Sequence, residues 1–489
     1  MDKKLTRRQV LKSMFGFAGV AVLTACSAPA APAPAQPAAP AATSAPGATA
    51  APTATTAPAA APIASPTPVP PPTSAPKTGQ TALRVFFGAN PEEAAVRQKI
   101  FDTYQQAHPE ILIQPEIPTQ NTTQALLTEV AGGDAPDVVM AWELQYPILA
   151  EKGVYMPLDD VINADANYKS KVLPDFYQSH IQMYTWKGKL YVLPEQNASV
   201  VLYYNKKLLD EAGVAYPPTD WKDTSWTWEK FVDGCHKLTK KSGDQITQYG
   251  FTEAWWIPLS AVIFAYCNNG NWFDRYSDPT KVTLTDPKVL QAFQWYADLW
   301  NKEKVAITPE NWKVQAGYQM FAAGKVAYTL VGHWFYPEFS KAEHNLSMDI
   351  GVFPVGPQGK QAMTDLGGTG MAMTKATKHP KEAWQFLSFE CGPDGQKIIA
   401  ESGLFAPMLK SIATSQSFLG SHKAISNRGV FNSAMENATS FPIGPAYDAM
   451  ADPLGRDTDA LWNGQETAEV ALAKAQTDMQ QALDESKTS

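Results

Sequence analysis

Between residues 81 and 141 the chain alternates between two periodicities, and that alternation restricts the fold more than any other feature. Residues 81–87 (TALRVFF), 111–117 (ILIQPEI) and 137–141 (DVVMA) are short apolar runs of strand length. Between them Val96, Ile100, Tyr104 and Ala107 recur at helical spacing, and a second helix is expected from Gln124 to Ala131. Asn90-Pro91-Glu92-Glu93 reads as a helix start, with Asn at the N-cap, Pro at the first helical position and Glu at the third. Strand, helix, strand, helix, strand predicts βαβ units and a mostly parallel sheet, hence an α/β fold.

About 410 residues follow position 80, more than one hydrophobic core usually serves, so two domains are expected. A hairpin is predicted around Lys187-Gly188, and a second α/β region begins near Val200 with a strand to Tyr204 and a helix from Lys206 to Ala212. Strand-like runs recur at 325–331 and 348–352.

The first 80 residues are of another kind. Residues 1–12 carry five basic side chains against Asp2, and an uncharged apolar run of signal-peptide length follows. Arg7-Arg8 resembles a twin-arginine export signal, with general secretion as the other route. Leu23-Thr24-Ala25-Cys26 resembles a lipobox, so residues 1–25 read as a signal peptide and Cys26 as the lipidation site. Acyl chains there would anchor the protein, each buried CH2 contributing about 0.8 kcal/mol. Residues 27–76 contain no charge and fifteen prolines, too little apolar bulk to offset ordering entropy. Residues 26–79 are therefore expected to be a tether.

Loss of the signal would remove five basic residues and one acidic, taking the net charge from −8 to −12. An acidic chain without a basic block argues against nucleic acid as a partner. The remaining cysteines, Cys235, Cys267 and Cys391, permit one disulfide at most and have no metal-site spacing. The seven histidines are dispersed, so neither a metal nor a cofactor is expected.

Several stretches together resemble bacterial extracellular solute-binding proteins of the sugar-binding type, relatives of maltose-binding protein that serve ABC importers. They are 131–139 (AGGDAPDVV), 153–160 (GVYMPLDD), 202–213 (LYYNKKLLDEAG), 321–327 (FAAGKVA), 366–370 (LGGTG) and 378–387 (KHPKEAWQFL). The resemblance covers roughly 81–487. It implies a two-lobed periplasmic-binding-protein fold whose chain crosses between lobes three times, with 81–198 plus 369–425 in the first and 199–368 plus 426–489 in the second. It also implies a monomer outside the cytoplasm that binds a sugar or oligosaccharide and hands it to ABC permease subunits. The same fold with another solute, a peptide or polyamine, is the alternative. An exported glycoside hydrolase is a third reading, but no Gly-x-Ser-x-Gly or His-Glu-x-x-His motif supports an enzyme.

Ligands of open α/β sheets lie beyond the carboxyl ends of the strands. That makes Asn90, Trp142 and Glu143 candidates, an aromatic for the C–H face of a sugar and polar groups for its hydroxyls. Glu195 lies where the resemblance puts the first crossing. Trp255 and Trp256 are adjacent large rings that cannot both enter one core. Gly332-His333-Trp334 resembles the family's Gly-Pro-Trp turn, in which the tryptophan stacks on sugar; His333 stands in place of the proline and could donate to a hydroxyl. Gly368 and Thr369 belong to a glycine-rich stretch suited to positive φ and close backbone approach. Tyr447 falls where the resemblance expects another cleft aromatic. Met408 occupies a position where the family often has arginine.

Overall fold

The computed structural model describes residues 76–118, 122–254, 256–421 and 424–488. The expected signal peptide, the expected lipidation site Cys26 and nearly all of the expected tether lie outside them, as does Trp255. The first lobe opens with β1 (Thr81–Phe86), β2 (Ile111–Glu116) and β3 (Val138–Trp142). A hairpin of β4 (Thr185–Trp186) and β5 (Lys189–Leu190) then leads into β6 (Val192–Asn197). The hairpin turns at Lys187-Gly188, with φ of 49° and 78°, so both central residues take the left-handed region that a two-residue hairpin loop requires.

The chain then crosses. The second lobe contains β7 (Val201–Asn205), β8 (Lys240–Ser242), β9 (Gln245–Glu253), β10 (Val326–Val331) and β11 (Met348–Gly351), in spatial order β11-β7-β10-β9-β8. It crosses back through β12 (Thr364–Asp365) to β13 (Gly368–Met373) and β14 (Ala406–Pro407), which join the first sheet in the order β14-β6-β13-β3-β1-β2. Finally β15 (Ala438–Thr439) pairs with β12 in a two-stranded ribbon.

β1 pairs in parallel with β2 and β3, as the βαβ pattern predicts. The sheet is nevertheless not mostly parallel. β13 runs antiparallel to both β3 and β6 because it arrives from the far side of a crossing and not through a helix; β14, which follows it through the helices Pro380–Glu390 and Pro393–Ser402, is antiparallel to β6 as well.

Each sheet has its own core. Leu83, Val85, Val139, Leu193 and Met371 belong to one buried cluster, and Leu202, Phe251, Leu330 and Ile350 to the other. The C-terminal helices Tyr447–Trp462 and Ala468–Thr488 add Leu454, Leu461 and Leu472 to the second cluster. Sequence position does not divide the cores cleanly at the last crossing: Phe418 and Ile425 pack in the second cluster, Met435 and Ile443 in the first. Cys235, Cys267 and Cys391 are buried free thiols. Among the described residues no helix is long and apolar enough to cross a membrane, and no group of acidic, histidine or cysteine side chains is placed to hold a metal.

Candidate ligand-binding cleft

Strand direction locates the cleft. β13 is antiparallel to both β3 and β6, so β6 points the same way as β1, β2 and β3. β6 leaves its sheet at Asn197, and β7 begins only four residues later. The carboxyl ends of all four strands therefore face the crossing. In the second lobe β9 and β10 are parallel to each other and antiparallel to β7, so their carboxyl ends share the edge where β7 begins. Residues 88–90 and 142–145 on one side, and 254, 256 and 332–335 on the other, lie beside the crossings.

On the first-lobe wall Trp142 pairs across the sheet with Thr369, and Thr369 with Gln196, so three side chains stand in a row. Trp142 and Thr369 are half-buried, and the Thr369 hydroxyl oxygen has no protein partner. Glu143 follows in a turn and accepts a hydrogen bond from the Gly368 backbone N–H. Desolvation, and then Asp365, push the Glu143 carboxyl up to about 8. At neutral pH it therefore holds a proton and can donate to an acceptor. Desolvation also raises Asp365, to about 6, but this side chain faces the hinge, accepting from the Val200 N–H at 2.8 Å and the Thr364 hydroxyl at 3.0 Å.

The crossing strand beside Glu143 is pinned from behind. Tyr184 donates its hydroxyl to the Gly368 carbonyl at 2.8 Å. His180 Nε2 lies 3.2 Å from the Gly367 carbonyl; burial depresses this imidazole to about 4, so it is neutral and donates from Nε2. The glycines here have a different reason from the one expected. None of Gly367, Gly368 and Gly370 has positive φ. A Cβ on Gly368 would lie 2.9 Å from the Gln196 carbonyl, and one on Gly370 2.4 Å from that of Leu193. They are glycine because β6 leaves no room, and Gly368 faces protein. Met408 is fully buried, with its Cε 3.2 Å from the same hypothetical atom.

On the second-lobe wall Trp334 sits in a short 3-10 turn directly after β10, half-buried. A Cβ on Gly332 would be 1.7 Å from the Trp334 ring, so the indole lies against a backbone that only glycine can supply. His333 does not reach the cleft. It is 1 % exposed, 4.4 Å from the Phe431 ring and stacked on Tyr336, which removes it as a hydroxyl donor to ligand. Trp256 and Tyr447 line one small apolar crevice with Trp272, Met450 and Leu454. Tyr447 also senses Glu143, which with burial raises its phenol.

Two further candidates move. Glu195 is in the first-lobe core, 2.7 Å from Arg97, and cannot touch a ligand in this conformation. Asn90 is an exposed N-cap whose side-chain oxygen accepts from the Glu93 N–H at 2.9 Å, while Glu93 accepts from the Asn90 N–H at 3.0 Å. Its capping role takes the oxygen a ligand would need. A groove of about 810 Å³ runs between Ile148, Trp186 and Lys187 on one side and Asp278, Pro445 and Met450 on the other. Cross-lobe bonding near Glu143 and Tyr447 is thin: Gln145 donates to Asp448 at 3.5 Å.

Glu143 gives a pH signature. An unfolded Glu ionises near 4.3, so between about pH 5 and about 8 the folded state holds a proton that the unfolded state has lost. Stability should fall as pH rises through that window. Glu143→Gln cannot ionise, and its unfolding free energy should lose that share of the slope. Identical slopes for variant and wild type in urea titrations would show that Glu143 ionises normally.

The family model described as "Bacterial extracellular solute-binding protein" matches residues 88–397. The arabinooligosaccharide-binding protein of Bacillus subtilis is 24% identical over 369 residues, 72% of this chain and 80% of that one. Among solved structures, an ABC substrate-binding protein of Listeria monocytogenes in complex with cycloalternan superposes with a TM-score of 0.73 at 23% identity, covering 83% of this chain and 99% of that one. The maltose/maltodextrin-binding domain of Bdellovibrio bacteriovorus bound to maltotriose gives 0.67 at 18%, covering 83% and 100%. With its two-lobed α/β fold, crossing strands and family match together, this chain belongs to the bacterial extracellular solute-binding proteins.

Proposed function

We propose that this protein captures a sugar or oligosaccharide between its lobes and delivers it to the permease of an ABC importer. The observation that carries the reading is the pairing of two unlike walls. Trp142, the Thr369 hydroxyl and a proton-holding Glu143 stand on one side, and Trp334 with Trp256 and Tyr447 on the other. Indole faces suit the C–H surface of a pyranose, and hydroxyl and carboxyl groups suit its rim. Relatives whose names specify arabinooligosaccharide or maltotriose support the same class.

A ligand touching both walls stabilises the closed arrangement, since few bonds cross between the lobes near Glu143 without it. Binding without catalysis fits the site. Asp365, the carboxylate that most raises Glu143, is 2 % exposed and bound to hinge groups, so these two do not form the pair of free carboxyls that glycoside hydrolysis uses. A protonated Glu143 also suits a hydroxyl better than the ammonium of a polyamine. Export, lipidation at Cys26, a leash over 26–79, a monomeric state and lobes divided as 81–198 plus 369–425 and 199–368 plus 426–489 complete the reading.

The test is a ligand panel read by tryptophan fluorescence and melting temperature. At least one of maltotriose, mannobiose or an arabinooligosaccharide should shift both, while spermidine and short peptides should not. A shift with spermidine or peptide alone, or new reducing ends after incubation with glycan, would overturn the assignment.

A further inference from the structure

Two arginines among the described residues are fully buried, and the fold meets them in opposite ways. Arg97 has the carboxylates of Glu195 and Glu390 at 2.7 Å each. Arg428 is just as buried, yet among the described residues no carboxylate pairs with it. Its Nη2 donates to the Gly403 carbonyl at 3.1 Å, while Nε and Nη1 are buried without a protein acceptor. The guanidinium carbon lies 4.6 Å from the centre of the Phe418 ring and 5.6 Å from that of Tyr336. Aromatic faces offset part of the cost of burying a cation but supply no lone pair to its N–H groups. Burial pushes the Arg428 guanidinium below its ordinary value, against the Tyr336 and Tyr203 phenols. Arg97 meets the same desolvation, and its two carboxylates lift it above that value.

A second polar group beside Arg428 is in the same position. Tyr203, on β7, is fully buried, and its hydroxyl also lacks a protein partner. The phenol and the guanidinium are close enough to act on each other electrostatically. Neutral donors without a partner are buried elsewhere, the Trp226 and Trp228 indoles among them, and each leaves a single dipole unmet. Arg428 leaves a charge, and buried charges are paired. Arginine does not shed its proton in a protein, so the compensation has to be a counter-ion. Gly403 precedes β14 of the first sheet and Tyr203 belongs to the second, so the cluster lies where the lobes meet.

We propose that Arg428 and Tyr203 form a binding site for a small monovalent anion, chloride or its like, at the junction of the two lobes. Nε and Nη1 of Arg428 and the Tyr203 hydroxyl supply its donors. One guanidinium and one neutral hydroxyl match one compact negative charge. A divalent oxyanion would bring a second charge that no neighbouring cation neutralises. The site does not depend on the sugar reading and can fail without it.

The experiment is thermal melting of the full chain, without glycan, in sodium chloride and in sodium isethionate at matched ionic strength. Up to about 100 mM, chloride should raise the melting temperature by roughly 3–5 °C over isethionate, and the rise should saturate. Arg428→Met should abolish that increment, and Tyr203→Phe should shrink it. Crystals of the wild-type protein grown in sodium bromide should show an anomalous peak beside Nε or Nη1 of Arg428, a readout that needs no variant to fold. Equal melting in the two salts, an increment that survives Arg428→Met, or bromide crystals without a peak there would overturn the anion site.

Discussion

Trp334→Ala should abolish measurable sugar binding while the protein stays folded. Stacking one indole face on a pyranose removes roughly 100 Å² of apolar surface from water, about 2.5 kcal/mol, and the directed C–H contacts add about 0.5–1.5 kcal/mol. Together they predict an affinity loss on the order of a hundredfold or more. The fold should survive because the side chain is half-buried just after β10, packed over Gly332 at the margin of the second-lobe cluster and not within it. The cost to stability should therefore stay below the ~3–5 kcal/mol of a fully buried Trp→Ala. Titration with the best-binding glycan and urea unfolding of the same preparation separate the two effects. An affinity within threefold of wild type would remove Trp334 from the site. A collapse of stability with affinity retained would make it a packing residue.

What could be read from the sequence was whatever short-range chemistry decides. The capping box at Asn90 and Glu93 forms because both partners lie within one turn. The Lys187-Gly188 hairpin forms because a two-residue loop needs positive φ, which Gly188 takes at no steric cost. The parallel order of β1, β2 and β3 follows from the helices between them. The misreadings share the opposite property. Glu195, followed by two amides at a crossing, looks like a ligand group until Arg97 and Glu390, far away in sequence, are seen to enclose it. Gly368 looks like a place for ligand until β6 is seen to press against it. His333 looks polar until Phe431 and Tyr336 surround it. Trp142 was legible because it closes a strand at its carboxyl end, where chain direction makes a wall, and Trp334 because Gly332-His333-Trp334 resembles the family's Gly-Pro-Trp turn.

Arg97→Met should cost about 3–5 kcal/mol, the largest stability loss expected from a single change in the first lobe. Arg97 lies in the helix Pro91–Ala107 and is 2 % exposed, bonded at 2.7 Å to Glu195 on β6 and at 2.7 Å to Glu390 in the helix Pro380–Glu390. Its guanidinium also lies 5.0 Å from the centre of the Phe87 ring. One cation thus serves two carboxyls in a dry interior. Burial, and then repulsion from Glu195, raise Glu390, so the cluster tends to hold a proton there. Methionine would fill much of the arginine stem volume but leave Glu195 charged and unpaired. The deficit should depend on pH in a definite sense. Without Arg97 the Glu390 carboxyl, already raised by burial, loses the cation that lowers it, so folding would take up a proton there. The loss should be smallest in mild acid and widen as pH rises through that raised value. Adding Glu195→Gln to Arg97→Met should recover a large part of it, because the buried charge is gone. A deficit below about 1 kcal/mol, or one independent of pH, would refute this account of the cluster. The functional consequence follows from β6, which carries Glu195 two residues before the crossing begins at Asn197. Loosening that anchor frees the strand that sets one lobe against the other, so even the folded fraction of Arg97→Met should bind glycan more weakly than wild type, although Arg97 touches no ligand.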